Sequence, residues 1–339
     1  MKSIPLDAFR KYLVEGFKKC GLNDENAERA ADVHYRVTLR GTGHHDVSAF
    51  PGRAGAVLDG TFAANPEFVK LASFGAMESW DGGNGLGEVV CSFIIDRAMA
   101  LADEHGLGFC AVRNSNHFLA ASPYIERATE RGYIALMFAK GGADMGGPDG
   151  NADHCMSALP LGMAYPTDEY AVMLDVCMAY ISYGQLARKI AAGEKVEPWW
   201  GVDKDGNPTT DPSALAAGTR FPIGGHKGFG LSMLGEVLTS VMGMGTILDQ
   251  KETPDGLKNP TTHSALVIKA GAFFGNDKFL SRAGELTRRT DARSPGIRIP
   301  GKRSHEYREE CLKNGAIELD DKLVGQLNDM AERLGIVKL

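Results

Sequence analysis

The sequence predicts an α/β (α+β) protein in which both ends of the chain are helical. Apolar side chains recur at helical spacing near the N-terminus and again near the C-terminus. Between residues 88 and 139 the pattern instead alternates between helix and strand. We therefore expect a layered α/β centre and a helical unit that the two chain ends build together.

Two helices are predicted at the N-terminus. The first covers residues 3–20, with Ser3 as its N-cap and Gly21 directly after it, and the second runs from residue 24 to residue 40. Their apolar faces comprise Leu6, Phe9, Leu13 and Phe17 in the first helix and Ala27, Ala30, Ala31, Val33 and Val37 in the second. At the other end, LDDKLVGQLNDMAERLGI repeats leucine at positions 319, 323, 327 and 334, which predicts a third helix that meets the first.

The middle of the chain predicts alternating elements. The order is helix 88–105, strand 107–112, helix 122–131, strand 133–139, the β-rich segments SALPLGMAY and YAVMLDV, and helix 182–193. Glycine and proline mark long loops at 141–152 and 201–224, and loops of that length commonly build a site. We expect residues 1–75 and 305–339 to form the helical domain and residues 76–304 the α/β catalytic domain.

Composition excludes several classes of function. The chain has 339 residues, 43% hydrophobic and 24% charged, and a net charge of -6 without a basic stripe, so we expect no nucleic-acid partner. No stretch approaches the ~20 apolar residues of a membrane span, and the amphipathic start is unlike a secretory signal. Six scattered cysteines without a CxxC pair favour a reducing cytoplasm.

One histidine lies in a polar loop between a predicted strand and a predicted helix. The loop is RNSNHFLAASPY, residues 113–124, and the histidine is His117. Because the carboxyl ends of strands in α/β proteins open onto ligand crevices, His117 is a candidate for catalysis. The alternative is a histidine that helps to cap the next helix.

Two glycine-rich segments share features with nucleotide-binding motifs. DGGNGLGEVV (81–90) lacks the GxGxxG spacing, and the preceding MESW is too short to be a clear strand, so no standard Rossmann fold is expected. FPIGGHKGFGL (221–231) places Gly225, Lys227 and Gly228 at the start of an apolar helix. That arrangement suits either a phosphate cradle or a turn that lets the helix pack closely, with Lys227 in solvent.

Histidines also follow the second predicted helix, in LRGTGHHDVSAF (39–50). His44, His45 and Asp46 would suggest a metal, but sequence neighbours rarely all point at one ion and no HExxH motif is present. An acid, base or hydrogen-bonding role for one histidine is favoured, and no metal site is expected. GVDKDGNPTTDP (201–212) lacks calcium-loop spacing and predicts consecutive turns.

Seven segments in register over about 300 residues resemble the malate/L-lactate (2-hydroxyacid) dehydrogenase family, which is unrelated to the lactate dehydrogenases of the Rossmann type. They are AADVHYRVTLRGTGHH, DGGNGLG, NSNHF with Tyr124, MLDV, WWGVDKDGNPTTDP, PIGGHKGFGL and IPGKRSHEYREECLKNGAIEL. The family includes ureidoglycolate and sulfolactate dehydrogenases, a diketogulonate reductase and piperideine- and pyrroline-2-carboxylate reductases. The resemblance implies a non-Rossmann NAD(P)-binding mixed-sheet domain, a helical domain from both termini, and a homodimer.

The resemblance also implies roles for individual residues. His117 matches the catalytic acid/base, His45 an active-site histidine, and Asp175 an aspartate that forms a relay with that histidine in some members. Cofactor-contacting positions match Ser115, Asp175, Val176, Cys177, Gly225, Lys227, Gly228, Gly301 and Lys302. Lys302 and Arg303 would favour NADP if they met a 2′-phosphate, and either NAD or NADP remains open because the pair can also be solvated.

The chain departs from the family where the substrate is expected to bind. The usual SHG reads His44-His45-Asp46, and the arginine four residues after the histidine is replaced by Ala49. Leu119 and Ser122 also stand where glycines are frequent. Arg53, Lys140 and His44 are therefore predicted substrate-binding residues, with Arg53 or Lys140 supplying the missing cation.

These patterns predict an NAD(P)-dependent oxidoreductase that moves hydride between nicotinamide and C2 of a small 2-hydroxy or 2-oxo acid. A cyclic-imine reductase and a non-catalytic dinucleotide- or metabolite-binding protein are the alternatives. A phosphate-handling hydrolase or kinase using the Lys227 loop ranks last, because no metal-binding carboxylate pair or Walker serine accompanies it.

Overall fold

The computed structural model describes residues 1–43 and 45–339 and confirms a mixed α/β fold. The strands are β1 (Lys2–Pro5), β2 (Val69–Phe74), β3 (Met77–Asp81), β4 (Leu107–Arg113), β5 (Tyr133–Lys140), β6 (Leu161–Tyr165), β7 (Val172–Val176), β8 (Gly201–Val202), β9 (Thr219–Arg220), β10 (Thr262–Lys269) and β11 (Ala316–Leu319). The α-helices are α1 (Leu6–Lys19), α2 (Asp24–Leu39), α3 (Phe50–Leu58), α4 (Gly87–His105), α5 (Ser122–Glu130), α6 (Tyr183–Ala192), α7 (Pro212–Ala217), α8 (His226–Glu236), α9 (Asn276–Arg293), α10 (Lys302–Asn314) and α11 (Asp321–Leu334). A π-helix, Val237–Val241, continues α8, and 3₁₀ turns lie at Val47–Ala49 and Pro148–Gly150.

The central sheet has seven strands in the order β2-β3-β4-β10-β5-β6-β7. Only the β3–β4 pair is parallel, and every other neighbouring pair in this sheet is antiparallel. A Rossmann sheet is mostly parallel, so this topology confirms a non-Rossmann fold. Because β4, β5 and β7 run in the same direction, their carboxyl ends meet at one edge of the sheet. The loops after β4 and β7 therefore come together there.

The central sheet contains three strands that the sequence does not predict, β2 (Val69–Phe74), β3 (Met77–Asp81) and β10 (Thr262–Lys269). MESW was judged too short to be a clear strand, but Met77–Asp81 forms β3, because it pairs with β2 on one side and β4 on the other. The prediction was wrong there. Thr262–Lys269 forms β10, which pairs with β4 and β5 near the middle of the sheet. Elements α4, β4, α5, β5 and α6 lie within two residues of their predicted bounds.

The two chain ends are joined by a short antiparallel ladder. Lys2–Pro5 pairs with Ala316–Leu319, so the first helix begins at Leu6 and Ser3 is a strand residue opposite Glu318. The prediction of Ser3 as an N-cap was wrong, as was the inclusion of Leu319 in the last helix. A partner more than 300 residues away decided both boundaries, and the local pattern does not contain that information.

Both ends also contribute to one apolar core, as predicted. Phe9, Leu13 and Phe17 of α1 are fully buried in a cluster that includes Leu327 and Leu334 of α11. The Tyr12 hydroxyl of α1 donates to the carbonyl of Leu327 at 2.6 Å. The contacts support a helical unit made from both termini, and the domain limits at residues 75/76 and 304/305 stay a prediction.

Two further observations concern the environment of the chain. In the part of the chain that the structure describes, no helix combines the length and apolarity needed to cross a bilayer. All six cysteines are free thiols. A cytoplasmic location stays a prediction.

The terminal core yields a stability prediction. Leu327→Ala removes a fully buried side chain and should lower the free energy of unfolding by about 2–5 kcal/mol, because the cavity adds to the lost transfer energy. Urea unfolding followed by circular dichroism measures the change. Val337→Ala is the control, since Val337 is 74% exposed, and it should change stability by less than about 0.5 kcal/mol. Equal effects of the two substitutions would contradict a shared terminal core.

Candidate active site

A cleft of about 360 Å³ lies at the sheet edge where β4 and β7 end. Its lining residues are Thr42, His45, His117, Leu119, Ala120, Pro160, Asp175, Val176, Cys177, Ala179, Tyr180, Ser182, Gln185 and Ile223. Five predicted site residues thus share one cavity: His45, His117, Asp175, Val176 and Cys177. A larger cavity of about 640 Å³ lies between the sheet and α9, but its titratable groups are Tyr165, Arg282, Glu285 and Arg289, without a histidine. The smaller cleft is therefore the candidate active site.

The two histidines of the cleft contact each other. The rings of His45 and His117 have centroids 4.9 Å apart and are tilted by 35°. Asp175 follows at the end of β7, and its Oδ2 accepts the Ser122 backbone N–H at the start of α5 at 2.8 Å. A carboxylate at a helix N-terminus is stabilised by the free N–H groups there, so this contact also fixes the Asp175 side chain.

One ring nitrogen of His117 is occupied by protein donors. Nδ1 accepts the Leu119 backbone N–H at 3.1 Å and lies 3.3 Å from an Arg53 guanidinium nitrogen. The same guanidinium nitrogen donates to the His117 carbonyl oxygen. In the neutral ring the proton is therefore on Nε2, and Nε2 is the nitrogen left to meet a substrate.

The backbone of this loop explains one departure from the family pattern. Leu119 has a φ of +69°, in the left-handed region that glycine adopts without strain. A leucine there costs of order 1 kcal/mol, and the conformation is the one that turns the Leu119 N–H back onto the His117 ring. A glycine would adopt this conformation without that cost.

The protein around His117 lowers the pKa of its imidazole to about 3. Burial by the surrounding protein is the main cause, and the Arg53 charge and His45 add to it, while Glu88 acts in the opposite direction. The side chain still reaches solvent through the cleft. His117 is consequently neutral throughout the physiological pH range.

A buried ion pair lies behind His117. Glu88, in the first turn of α4, is fully buried, and its Oε1 lies 3.1 Å from His34 Nε2 and 3.2 Å from Arg53 Nε. Burial alone would raise the pKa of the Glu88 carboxyl, but the Arg53 charge and the His34 hydrogen bond outweigh burial and lower it. Arg53, one helical turn after Ala49, thus contacts the candidate catalytic histidine directly.

The other predicted substrate-binding residues are placed differently. The Lys140 side chain is fully buried outside the cleft lining, where Nζ donates to the Thr246 carbonyl at 2.7 Å and lies 3.5 Å from Glu236 Oε1. Burial lowers the pKa of the Lys140 ammonium, and Glu236 opposes that shift. His44 lies outside the described residues.

Apart from Ser115, the predicted cofactor residues fall into three groups, of which one lines the cleft. Gly225 precedes α8 with a φ of +61°, and a Cβ on Gly228 would lie 2.5 Å from the Ile223 carbonyl oxygen. Gly301 precedes α10 with a φ of +85°, and a Cβ there would lie 2.9 Å from the Met173 backbone nitrogen in β7. The third group is Asp175–Cys177 in the lining itself.

This arrangement fits a dinucleotide. Two helix N-termini, each preceded by a left-handed glycine and each carrying a lysine in its first turn (Lys227 and Lys302), lie beside cleft-forming segments. Such N-termini bind phosphate oxygens through their backbone N–H groups. Ser115 is buried behind the loop, where its carbonyl accepts the Asn259 side-chain amide at 2.6 Å, and it is absent from the lining.

Sequence reasoning missed several residues. Gln185, Tyr180 and Ser182 line the cleft from the segment leading into α6 and from α6 itself. Glu88 was overlooked although an acidic residue in the apolar run EVVCSFII is a signal of buried pairing. Among residues 1–43 and 45–339, no three His, Cys, Asp or Glu side chains are grouped so that they could hold a metal ion.

Residues 4–328 match the protein family described as malate/L-lactate dehydrogenase. The chain belongs to this family. The dehydrogenase is 29% identical to the L-sulfolactate dehydrogenase of Methanocaldococcus jannaschii over 96% of both chains. It is 28% identical to the 2,3-diketo-L-gulonate reductase of Klebsiella pneumoniae over 94% of this chain and 95% of the relative.

The fold comparison agrees with the sequence comparison. The solved sulfolactate dehydrogenase of M. jannaschii superposes with a TM-score of 0.87 at 27% identity and covers 99% of this chain and 98% of the other. The dehydrogenase therefore shares the fold of the family along its whole length, and its membership confirms an enzyme of the dehydrogenase and reductase class.

The lowered pKa of His117 predicts a pH dependence of stability. A histidine in the unfolded chain takes up a proton near pH 6.5, whereas His117 in the folded protein does so only near pH 3. Between these values the unfolded state binds more protons, so this group makes the folded state less stable as the pH falls below about 6.5.

His117→Gln should therefore be relatively more stable than the wild type at pH 5 than at pH 7, as measured by urea unfolding at both values. His105→Gln, on the surface at the end of α4, is the matched control and should leave the pH dependence of the wild type unchanged. A wild-type pH dependence in the His117 variant would contradict a lowered pKa of the His117 imidazole.

Proposed function

We propose that this protein is an NAD(P)-dependent oxidoreductase acting at C2 of a small 2-hydroxy or 2-oxo acid, with His117 as the hydrogen-bond donor to the substrate oxygen and His45 as the group that carries its proton. The observation that carries this proposal is the meeting of His117, His45 and Asp175 in one cleft with Val176 and Cys177. A cleft of about 360 Å³ has room for a small substrate beside one end of a dinucleotide.

The cofactor would be held by the three groups of residues around the cleft. The backbone at Asp175, Val176 and Cys177 borders the cavity. The helix starts at Gly225–Gly228 and at Gly301–Lys302 suit the phosphates. When bound, a nicotinamide supplies or accepts the hydride at the substrate carbon. Ser115 would support the loop rather than touch the cofactor.

His117 is best suited to a substrate with a carbonyl oxygen. Nδ1 already accepts the Leu119 N–H, so the neutral ring presents Nε2–H as a hydrogen-bond donor. A donor in a partly desolvated cleft polarises a carbonyl and stabilises the oxyanion that develops as the carbon is reduced. Removing a proton from an alcohol would require the ring proton to move to Nδ1, against the Leu119 and Arg53 donors. The geometry thus favours hydrogen-bond donation by His117 to the substrate oxygen, in both directions of the reaction, over a role as the base that takes the alcohol proton.

His45 and Asp175 complete the proton-handling group. The His45 ring contacts that of His117, and it borders the same cavity as Asp175. We propose that His45 delivers the proton that completes the product hydroxyl and that Asp175 supports the charged form of His45. A carboxylate near an imidazole favours its protonated state.

Arg53 would be the main cation that pairs with the substrate carboxylate. Arg53 is not among the lining residues of the cleft, but its side chain is 11% exposed and contacts the lining residue His117. Glu88 balances part of the Arg53 charge, so the attraction for an acid is weaker than that of an unpaired arginine. Lys140 is excluded from this role because its side chain is fully buried, with its ammonium bound to the Thr246 carbonyl and next to Glu236. The proposal does not use His44.

The choice between NAD and NADP rests on the first turn of α10. Lys302 and Arg303 are both exposed there, next to Gly301. Two cations at a helix N-terminus attract a 2′-phosphate, which favours NADP.

His117→Ala should lower turnover by at least about 100-fold, because the variant lacks the hydrogen-bond donor that stabilises the developing oxyanion. The assay follows NADH and NADPH absorbance with a panel of 2-oxo acids and cyclic imino acids. Cofactor affinity, measured by fluorescence, should stay within a few-fold of the wild type. His105→Ala is the control and should retain wild-type turnover.

The other possible results of this assay would each support a different function. Strong turnover of cyclic imines with a mild effect of His117→Ala would identify an imine reductase. Tight dinucleotide binding without turnover of any panel member by the wild type would identify a binding protein. Near-normal reduction of 2-oxo acids by the variant would overturn the role of His117.

We also propose that the dehydrogenase is a homodimer. Residues 231–248 carry an apolar face that is exposed in the single chain, and a second copy would cover it. Its members are Leu231, Met233, Leu234, Val237, Val241, Met242, Met244 and Leu248. An apolar face of this extent is unusual on a monomer in water, and a two-fold interface would bury it against itself.

Sedimentation should then give twice the 36.4 kDa of one chain. Leu234→Glu should shift the protein toward monomer, because it places a charge in the middle of the apolar face. Leu286→Glu is the matched control, since Leu286 is equally exposed on α9. Dissociation by Leu286→Glu alone would place the interface on α9 instead.

A further inference from the structure

The fully buried carboxylate of Glu88 lies behind the candidate catalytic loop, with Arg53 between the two. Glu88 begins an otherwise apolar segment of α4, and its side chain has no exposed surface. A buried charge without partners is strongly unfavourable, so its partners show what it holds in place. These partners are His34, which is equally buried in α2, and Arg53 of α3.

The contacts continue from Arg53 to His117. Arg53 uses Nε for Glu88 and a terminal nitrogen for the His117 carbonyl and for Nδ1 of the His117 ring. Four separate segments are linked in this order: α2, α4, α3 and the loop after β4. The planar guanidinium suits such a link, because its donors point in fixed directions.

Stability alone does not explain this arrangement. Glu88 Oε2 and His34 Nδ1 are buried without a hydrogen-bond partner among the residues that the structure describes. Buried ion pairs with unsatisfied atoms are often less stable than apolar residues of the same volume. The group therefore provides something other than net stability, and its far end is the His117 ring.

We propose that Glu88 is a positioning residue: with His34 it holds Arg53, and Arg53 in turn holds His117 with Nδ1 as acceptor and Nε2 toward the substrate. This inference deepens the proposed function and rests on it. Neither Glu88 nor His34 touches the cleft lining, so both act through Arg53.

Glu88→Gln tests the proposal by removing the charge while keeping the shape. It leaves the Arg53 charge unbalanced, so Arg53 should release His117. We expect kcat for the reduction of a 2-oxo acid to fall at least 10-fold, with cofactor Kd within two-fold of the wild type. Glu88→Asp, which keeps the charge, should recover part of the loss. Glu28→Gln on α2, which removes an exposed Glu–Arg pair with Arg10, is the control and should keep wild-type kcat.

The double variant Arg53→Gln/Glu88→Gln measures whether the two residues act as a unit. If Glu88 acts only through Arg53, the double variant loses no more activity than Arg53→Gln alone. Additive losses would overturn the proposal.

A second measurement is independent of turnover. Imidazole ¹⁵N and ¹H resonances, assigned with His117→Gln, report which nitrogen of His117 carries the proton and where the ring titrates. The charged and titratable groups around the ring are Arg53, Glu88, His45, His263 and, across the cleft, Asp175. We expect the Nε2–H form in the wild type, a titration midpoint that rises in Arg53→Gln, and a mixture of ring forms in Glu88→Gln.

The outcomes separate this inference from the proposed function. Absence of turnover in the wild type with the expected ring forms would overturn the function and keep the positioning role. Wild-type ring forms in Glu88→Gln would overturn the positioning role. If Glu88→Gln does not fold but the uncharged double variant does, the coupling is supported. Failure of both to fold would assign the pair to stability and overturn the proposal.

Discussion

The hydrogen bond from the Arg53 guanidinium to the His117 carbonyl oxygen is the contact on which the rest of the site depends. Arg53 belongs to α3, in the part of the chain built around the terminal helices, whereas His117 follows β4 of the central sheet. The guanidinium therefore ties one layer of the protein to the other at the point where the chemistry is proposed. The positive charge of Arg53 is tolerated at this largely buried position because the Glu88 carboxylate pairs with it. Removing one member leaves a charge buried without a partner, which costs far more than the loss of one hydrogen bond.

The sequence was sufficient for elements whose pattern is local. The amphipathic periods of α1, α2, α4 and α11 and the apolar runs of β4 and β5 gave element types and approximate bounds, because packing follows those periods. Prediction from the sequence failed where pairing with a strand distant in the chain determines the secondary structure. Lys2–Pro5 pairs with Ala316–Leu319, and Met77–Asp81 is a strand because β4 and β2 lie beside it. Neither partner is visible in a window of ten residues.

The sequence predicted the residues of the candidate site about as well as it predicted the secondary structure. His117, His45 and Asp175 were named from motifs, and the structure brings them to one cleft because β4 and β7 end at the same edge of the sheet. The replacement for the missing family arginine could not be settled from spacing alone. Lys140 and Arg53 were equal candidates in the sequence, and only the packing of side chains separates them: Lys140 pairs with Glu236, and Arg53 reaches His117. Glu88 became visible only when α2, α3 and α4 were seen together.

The β1–β11 ladder has a consequence for how the protein is made. The amino group of Met1 lies 2.8 Å from Asp321, and Lys2 Nζ donates to the Leu339 carbonyl at 2.7 Å, so the two termini are neighbours. A ribosome releases the first of these segments long before it completes the last. The core that packs α1 and α3 against α11 can therefore close only once residues 316–334 have been made. The position of Arg53, on α3, depends in this way on a segment more than 250 residues further along the chain.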